Sequence, residues 1–211
     1  MTDQAKYGNP GLSEELQEPY TEIPADPESF VRWAATLDRS HPYKYELSNG
    51  RVRRMMINVS RAHWRICGNI VGEMRSGIDS TRYEASPAEF GVMSPQSVRF
   101  PDVLVERLSA DLNEYASSCP VLIVEVLSPS TAGLDFTEKL QEYTAIESLG
   151  TYLICSQDEP RAWIWSRRED DSWPRLPEEI AGREASIRIP GLGTELAMAA
   201  VFRGIPDAPR C

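Results

Sequence analysis

The chain has 211 residues, of which 41% are hydrophobic and 26% charged, and this composition excludes global disorder. The length is sufficient for one domain with a loose arm and short for two, because domains usually hold about 100 to 200 residues. The formal net charge of −10 excludes a general Lys/Arg excess as the means of binding DNA.

Residues 1–25 are rich in Gln, Glu, Gly and Pro, and we expect them to form a flexible N-terminal arm. Asp26 and Pro27 then have the residue types of a helix start, and apolar residues follow at helical spacing. This pattern predicts a helix that ends near Ser40.

Residues 43–47 and 51–59 are predicted as two strands of a hairpin, because Asn49-Gly50 suits the positive φ values of a primed turn. Ser60 is the predicted N-cap of a second helix. The expected buried face of that helix comprises Trp64, Cys67, Ile70, Val71, Met74 and Ile78.

The next part of the chain has strand patterns at residues 91–93, 97–106 and 120–127. The last of these is apolar on both faces except at Glu125, which predicts a central strand covered on both sides. The pattern then predicts a helix over 136–148, with Asp135 in a capping box. It further predicts strands at 152–155, 161–166 and 185–189, a polar insertion at 167–184 and a helix at 196–202. The result is a mixed α/β sheet flanked by helices, as one domain over 26–205 with a tail at 206–211.

Four cysteines, Cys67, Cys119, Cys155 and Cys211, show no CxxC spacing, and no secretory leader pattern precedes them. We therefore expect reduced thiols in a cytoplasmic protein, without a zinc site or disulfide frame. The longest apolar runs fall far short of the roughly 18 residues of a membrane span. We expect no membrane segment.

Glu125 on a buried strand requires a partner, and Asp102 on the preceding strand can reach the same end of the sheet. Two carboxylates about 4 Å apart repel by about 4 kcal/mol at an effective dielectric near 20, so one binds a proton or a cation lies between them. Oxygen ligands, including the predicted backbone carbonyl of Val126, favour Mg²⁺ or Mn²⁺ over Zn²⁺. No His or Cys lies nearby in sequence.

Lys139 is the candidate ammonium that orients the attacking water, and Tyr143 lies one helical turn later. The structural alternatives are a solvated Lys139, an Asp102 that only caps a turn and an Asp135 that only caps a helix. His63 is a candidate phosphate contact or proton shuttle; its alternative is a surface or packing residue beside Trp64. Trp residues could stack on bases, but packing at the sheet surface or a subunit interface explains Trp163 and Trp165 more simply.

Three segments together resemble the Uma family of putative restriction endonucleases, within the PD-(D/E)xK superfamily. They are Phe100-Pro-Asp-Val-Leu-Val-Glu106, Leu122-Ile-Val-Glu-Val-Leu-Ser-Pro-Ser130 and Asp135-x-x-x-Lys139-x-x-x-Tyr143. The hairpin Tyr45-Glu-Leu-Ser-Asn-Gly-Arg-Val52 and Pro190-Gly-Leu-Gly193 are also similar. The resemblance implies a restriction-endonuclease-like fold, Asp102 and Glu125 as metal ligands, Lys139 as a lysine migrated onto a helix, and Glu46 as an accessory acid. The sequence departs from the family pattern at two places. Leu127 stands where the ExK motif has its lysine. Tyr152-Leu153 and the following Cys155-Ser156 stand where the family usually has a Tyr-Trp pair followed by Asp.

The leading hypothesis is a Mg²⁺-dependent endonuclease that hydrolyses DNA phosphodiester bonds. The alternatives are a catalytically inactive interaction or regulatory module on the nuclease fold, favoured by the net charge of −10, and a different phosphodiesterase or nucleotide hydrolase. Clusters of arginines at 51–54 and 61–65 are either a basic patch on an acidic body or solvated faces. Apolar strands and the Trp-rich segment favour a homodimer.

Overall fold

The computed structural model describes residues 24–37, 43–56, 59–87, 89–127 and 132–206. Nearly all of the predicted N-terminal arm and C-terminal tail, and the predicted helix end at Ser40, lie outside these residues. The described ranges form a six-stranded sheet, a five-stranded sheet and a two-stranded hairpin, with helices packed against them. The predicted mixed α/β class is confirmed. None of the helices in these ranges combines the length and the apolar composition that crossing a bilayer requires.

The described strands, in chain order, are β1 (Tyr43–Ser48), β2 (Arg51–Met56), β3 (Tyr83–Pro87), β4 (Gly91–Met93), β5 (Val98–Arg99), β6 (Val103–Arg107), β7 (Ala116–Ser117), β8 (Pro120–Val126), β9 (Thr151–Cys155), β10 (Arg161–Ser166), β11 (Glu178–Ala181), β12 (Ser186–Ile189) and β13 (Thr194–Ala197). The α-helices are α1 (Pro27–Thr36), α2 (Arg61–Gly77), α3 (Ala132–Leu134), α4 (Leu140–Thr144) and α5 (Met198–Val201). A π-helix, Asp135–Lys139, joins α3 to α4. We call this continuous stretch, residues 132–144, the site helix.

Local sequence signals account for the first elements. Asp26 caps α1 by accepting a hydrogen bond from the Ser29 backbone N–H at 2.9 Å. The β1–β2 turn has positive φ at Asn49 (48°) and Gly50 (75°), so the predicted primed turn is confirmed. Ser60 caps α2 by accepting from the His63 backbone N–H at 3.0 Å, also as predicted.

Strand β8 lies in the middle of the six-stranded sheet, between antiparallel β6 and parallel β9. Its residues alternate between two hydrophobic cores: Val124 and Val126 pack in the core that includes α2, and Ile123 packs in the core that includes the site helix. The same alternation places Glu125 on the site-helix side. The predicted central strand with one acid is confirmed.

The predicted strand over residues 97–106 is wrong as a single element. Val98–Arg99 belongs to the five-stranded sheet and Val103–Arg107 to the six-stranded sheet. The break falls at Phe100-Pro101-Asp102, where proline supplies no amide hydrogen for a ladder. Because of this break, Asp102 lies where the chain passes from the five-stranded sheet to the six-stranded sheet.

Two helix predictions are also wrong. Residues 194–197 form β13, paired with β12, so only Met198–Val201 of the predicted terminal helix is helical. Asp135 is no helix cap, because the site helix already begins at Ala132. Strand β11 lies inside the predicted insertion over 167–184.

The predicted apolar face of α2 is wrong at one position. Trp64 is 68% exposed, and Ile66 is buried in its place. The alternative of a packing role for the strand tryptophans is confirmed, because Trp165 is buried and both Trp163 and Trp165 contact Phe136.

Candidate active site

Asp102 is held against the strand that carries Glu125. The Val126 backbone N–H donates to Asp102 Oδ2 at 2.7 Å, and the pairing of Val103 with Val124 in β6 and β8 places Asp102 at the level of Glu125. The Asp102 side chain is 20% exposed and the Glu125 side chain 4%. Solvent therefore reaches the site from the Asp102 side.

Glu125 is a buried carboxylate with two partners on the site helix. Its Oε1 accepts from the Tyr143 hydroxyl at 2.9 Å and lies 3.0 Å from Lys139 Nζ. Burial raises the pKa of Glu125 to about 8, Lys139 opposes this effect, and the charges of Asp135 and Asp102 add to it. The structure thus brings the predicted residues Glu125, Lys139 and Tyr143 into contact.

Lys139 lies between two acids. Its ammonium is 2.9 Å from Asp135 Oδ1, one helical turn earlier, and 3.0 Å from Glu125. Burial by itself lowers the pKa of Lys139, but the charges of Glu125 and Asp135 outweigh it and hold the pKa above the ordinary value. The predicted alternative of a solvated Lys139 is wrong, and Asp135 is a buried charge partner that the capping interpretation missed. The π-helix places both side chains on one face, a feature frequent at functional sites.

Glu46, which the resemblance implies as an accessory acid, is also buried near this cluster. Its Oε2 lies 2.9 Å from Arg99 Nη1, and its Oε1 accepts from the Phe100 backbone N–H at 3.3 Å. Arg99 further contacts Glu142 through Nε at 2.6 Å and Ser48 through Nη2 at 2.8 Å. Glu46 and Arg99 therefore connect β1 and the site helix to the residues that precede Asp102.

Lys44 is a site residue that the prediction missed. Its Nζ lies 4.5 Å from the centroid of the Phe100 ring. Burial lowers the pKa of Lys44, and the carboxylates of Glu46, Glu125 and Asp102 raise it. A signal was present in the sequence, because residues two apart on a strand share a face and Lys44 is two before Glu46.

His63 is buried, with 6% of the residue exposed, and its Nε2 is 3.1 Å from Asp102 Oδ2. Because a carboxylate only accepts, Nε2 carries the hydrogen. The other ring nitrogen, Nδ1, faces the Cys67 thiol at 3.6 Å. The surface interpretation of His63 is wrong. The fold brings His63 and Cys67, which are distant from the carboxylates in sequence, next to Asp102.

Two of the predicted basic residues have partners within the fold. Arg53 forms an ion pair with Glu138 at 3.1 Å, and Arg65 donates to the Gly204 carbonyl at 2.7 Å. These contacts weaken the hypothesis of a basic patch built from the two arginine clusters.

The donor set fits a divalent cation. The carboxyl groups of Glu125 and Asp135 lie 3.0 and 2.9 Å from the Lys139 ammonium, and Asp102 lies at the level of Glu125 on the neighbouring strand. Asp135 Oδ2 is buried and accepts no hydrogen bond from the described residues, so it is a polar atom that a cation or its water would satisfy. Oxygen ligands of this kind suit a hard ion.

Several known proteins are similar to this chain. The chain is 24% identical over 188 residues to the uncharacterized protein slr1290 from Synechocystis, covering 85% of this chain and 92% of that protein. It is 32% identical over 133 residues to the uncharacterized protein sll1609 from the same organism, covering 61% and 74%. A crystal structure of a putative nuclease from Anabaena variabilis superposes with a TM-score of 0.62 at 16% identity, over 82% of this chain and 96% of that one. This similarity supports the predicted nuclease-like fold.

Residues 27–199 match the Uma2 family, which is described as putative restriction endonuclease. The match includes the segments that hold Asp102, Glu125 and the site helix. The resemblance inferred from the motifs is confirmed. This chain belongs to the Uma2 family of putative restriction endonucleases.

Proposed function

We propose that this protein is a Mg²⁺-dependent endonuclease that hydrolyses DNA phosphodiester bonds. The observation that carries the proposal is the placement of Asp102 and Glu125 at one end of adjacent strands, with the Lys139 ammonium 3.0 Å from Glu125. The nuclease-like family supports a nucleic-acid substrate and a divalent ion.

Asp102 and Glu125 would hold the ion, with the Val126 carbonyl as a further proposed ligand and Mn²⁺ as the alternative ion. When bound, the ion would polarise the phosphoryl oxygen and lower the pKa of a water. His63 and the Val126 N–H orient the Asp102 carboxylate, as hydrogen-bond partners of metal ligands commonly do.

The cations have separate roles in this proposal. Lys139 contacts Asp135 and Glu125, and in this proposal its third N–H donor would position the attacking water. Lys44, the missed cation near Asp102 and Glu125, would contact the substrate phosphate. Together they supply local positive charge within a chain of net charge −10.

The direct test is cleavage of supercoiled plasmid, linear duplex and single-stranded DNA, with RNA in parallel, in Mg²⁺ or Mn²⁺. We expect cleavage that EDTA abolishes, and a loss of about 100-fold or more in Asp102→Asn and in Glu125→Gln, because the charge that binds the ion is removed. The matched control is Glu106→Gln, which neutralises another buried acid on β6, away from the site. Intact substrates under all conditions would contradict the proposal.

The second candidate is an inactive binding module on the same fold. The net charge of −10 and Leu127 in place of the ExK lysine favour it. Calorimetric titration with Mg²⁺ separates the two candidates. Binding that is lost in both Asp102→Asn and Glu125→Gln supports the nuclease, and absence of binding in the wild type supports the module.

The pH dependence of Mg²⁺ binding tests the assignment of Glu125. Because burial raises the pKa of Glu125 to about 8, the carboxyl holds a proton at neutral pH that the ion must displace. We expect Mg²⁺ affinity to rise by up to about tenfold per pH unit between about pH 6 and 8, and then to level off. Any weak Mg²⁺ binding that remains in Glu125→Gln should not depend on pH in this range. Equal wild-type affinity at the two ends of the range would show that Glu125 is not a ligand.

Two further expectations stay predictions. Analytical ultracentrifugation would test the expected homodimer, and cell fractionation would test the expected cytoplasmic location.

A further inference from the structure

A second set of metal-ligating side chains lies beside the carboxylates. One ligating atom from each of His63, Cys67 and Asp102 lies within 4.8 Å of the other two. His63 and Cys67 are four residues apart on α2, so they project from successive turns of one helical face. Asp102 reaches the same point from the sheet. The donors are nitrogen, sulfur and oxygen, unlike the oxygen set at Glu125.

Each pairwise contact of His63 in this group is close to the separation of two tetrahedral ligands. With bonds of about 2.3 Å to sulfur and about 2.0–2.1 Å to nitrogen, two tetrahedral zinc ligands lie about 3.6 Å apart. His63 Nδ1 and Cys67 Sγ are 3.6 Å apart. His63 Nε2 and Asp102 Oδ2 are 3.1 Å apart, close to the roughly 3.4 Å expected for nitrogen and oxygen ligands. An ion would bond to only one of the two ring nitrogens. One ring nitrogen of His63, Cys67 Sγ and an Asp102 oxygen lie within 4.8 Å of one another, so the three side chains would have to move closer together to reach the separations of a bound ion.

The surroundings suit a site with an open coordination position. His63 is buried, Cys67 is half-buried and the Asp102 side chain is 20% exposed. Three protein ligands with solvent access at the fourth position are typical of reactive zinc centres. A thiolate also selects Zn²⁺ or Co²⁺ over Mg²⁺, which prefers oxygen.

We propose that His63, Cys67 and Asp102 form a binding site for one Zn²⁺ or Co²⁺ ion per chain. Binding breaks the Cys67 S–H bond, forms a metal–sulfur bond and releases the proton to solvent. The His63–Asp102 hydrogen bond is exchanged for bonds to the ion. This inference rests on the proposed function in one respect only. Asp102 is also a proposed Mg²⁺ ligand, so Zn²⁺ and Mg²⁺ would compete for it.

The test is a Co²⁺ titration of the full chain followed by absorbance. We expect saturation at one ion per chain, with visible d–d bands, a near-ultraviolet thiolate-to-cobalt charge-transfer band, and loss of both when Zn²⁺ is added. Cys67→Ser should lose the charge-transfer band and weaken binding at least about tenfold. Cys119→Ser, at an exposed thiol, and Cys155→Ala, at the buried thiol of β9, are the controls and should keep the band.

An unchanged band in Cys67→Ser, its loss in either control, or no Co²⁺ binding to the wild type would overturn the proposal. If Cys67→Ser does not fold, alkylation of the wild type with peptide mapping replaces it. Zn²⁺ should then protect Cys67 and not Cys119, and equal modification of Cys67 with and without Zn²⁺ would overturn the proposal.

This experiment uses neither Mg²⁺ nor nucleic acid, so its result is independent of the proposed nuclease. A cobalt–thiolate band in a protein that neither binds Mg²⁺ nor cleaves DNA would support the zinc site and contradict the nuclease. Cleavage in Mg²⁺ without any cobalt–thiolate band would support the nuclease and contradict the zinc site.

Discussion

Replacement of Arg99 by methionine is expected to lower the free energy of unfolding by about 3–5 kcal/mol, because it leaves buried acids without their counter-charge. The Arg99 side chain is 1% exposed and forms ion pairs with Glu46 at 2.9 Å and Glu142 at 2.6 Å. Chemical denaturation of the wild type and the variant, followed by circular dichroism, gives the difference.

The matched control is Arg161→Met. Arg161 also has two acidic partners, Glu159 at 3.1 Å and Glu179 at 3.6 Å, but its side chain is 40% exposed. Exposed ion pairs contribute about 0–1 kcal/mol, so this substitution should change little. Combining Arg99→Met with Glu46→Gln and Glu142→Gln should recover part of the lost stability. A similar small effect at both arginines would show that the Arg99 cluster is not a stabilising contact.

Replacement of Lys139 by methionine is expected to lower DNA cleavage by about 10²–10³-fold, the usual effect of removing one preorganised group that stabilises developing charge. Loss of Lys139 raises the pKa of Glu125 further, so Mg²⁺ binding should persist at alkaline pH, where Asp102 and Glu125 are both charged and the competing ammonium is gone. Cleavage rates at saturating Mg²⁺, measured beside calorimetric binding, separate these two effects.

The same substitution also removes the counter-charge of Asp135, so stability requires its own control. The double variant Asp135→Asn with Lys139→Met removes one of the acids that Lys139→Met leaves unpaired. We expect it to be more stable than Lys139→Met alone and equally inactive. Recovery of cleavage together with stability would show that Lys139 has a structural role and no part in the chemistry.

The elements predicted correctly are those whose signals lie within a few residues. Asp26 and Ser60 cap their helices, and Asn49-Gly50 forms the hairpin turn, because side chain and backbone interact locally at each. The errors occur where a distant partner decides. Residues 196–197 lie in the predicted helix over 196–202, but pairing with β12 makes them part of strand β13. Residues 97–106 divide because their two ends pair in different sheets.

The site residues divide in the same way, into those that local signals predicted and those that distant contacts decided. A lone acid in an apolar strand identified Glu125, since burying a charge requires a partner. The direction of Lys139 depended on the π-helix, which the periodicity of 136–148 did not indicate. His63 and Cys67 could not be placed beside Asp102, because they lie about 40 residues from it in sequence and only the packing of α2 on the sheet brings them there.

The sequence by itself determined the family, the central strand with Glu125 and the candidate set of Asp102, Glu125 and Lys139, because burial patterns and ordered motifs are carried by neighbouring residues. The tertiary structure alone decided that Asp135 pairs with Lys139, that Arg99 holds Glu46 and Glu142, and that His63 and Cys67 adjoin Asp102. These contacts join different elements or depend on helix geometry. Charge pairing depends on the distance between groups in space, and the order of residues along the chain does not give that distance.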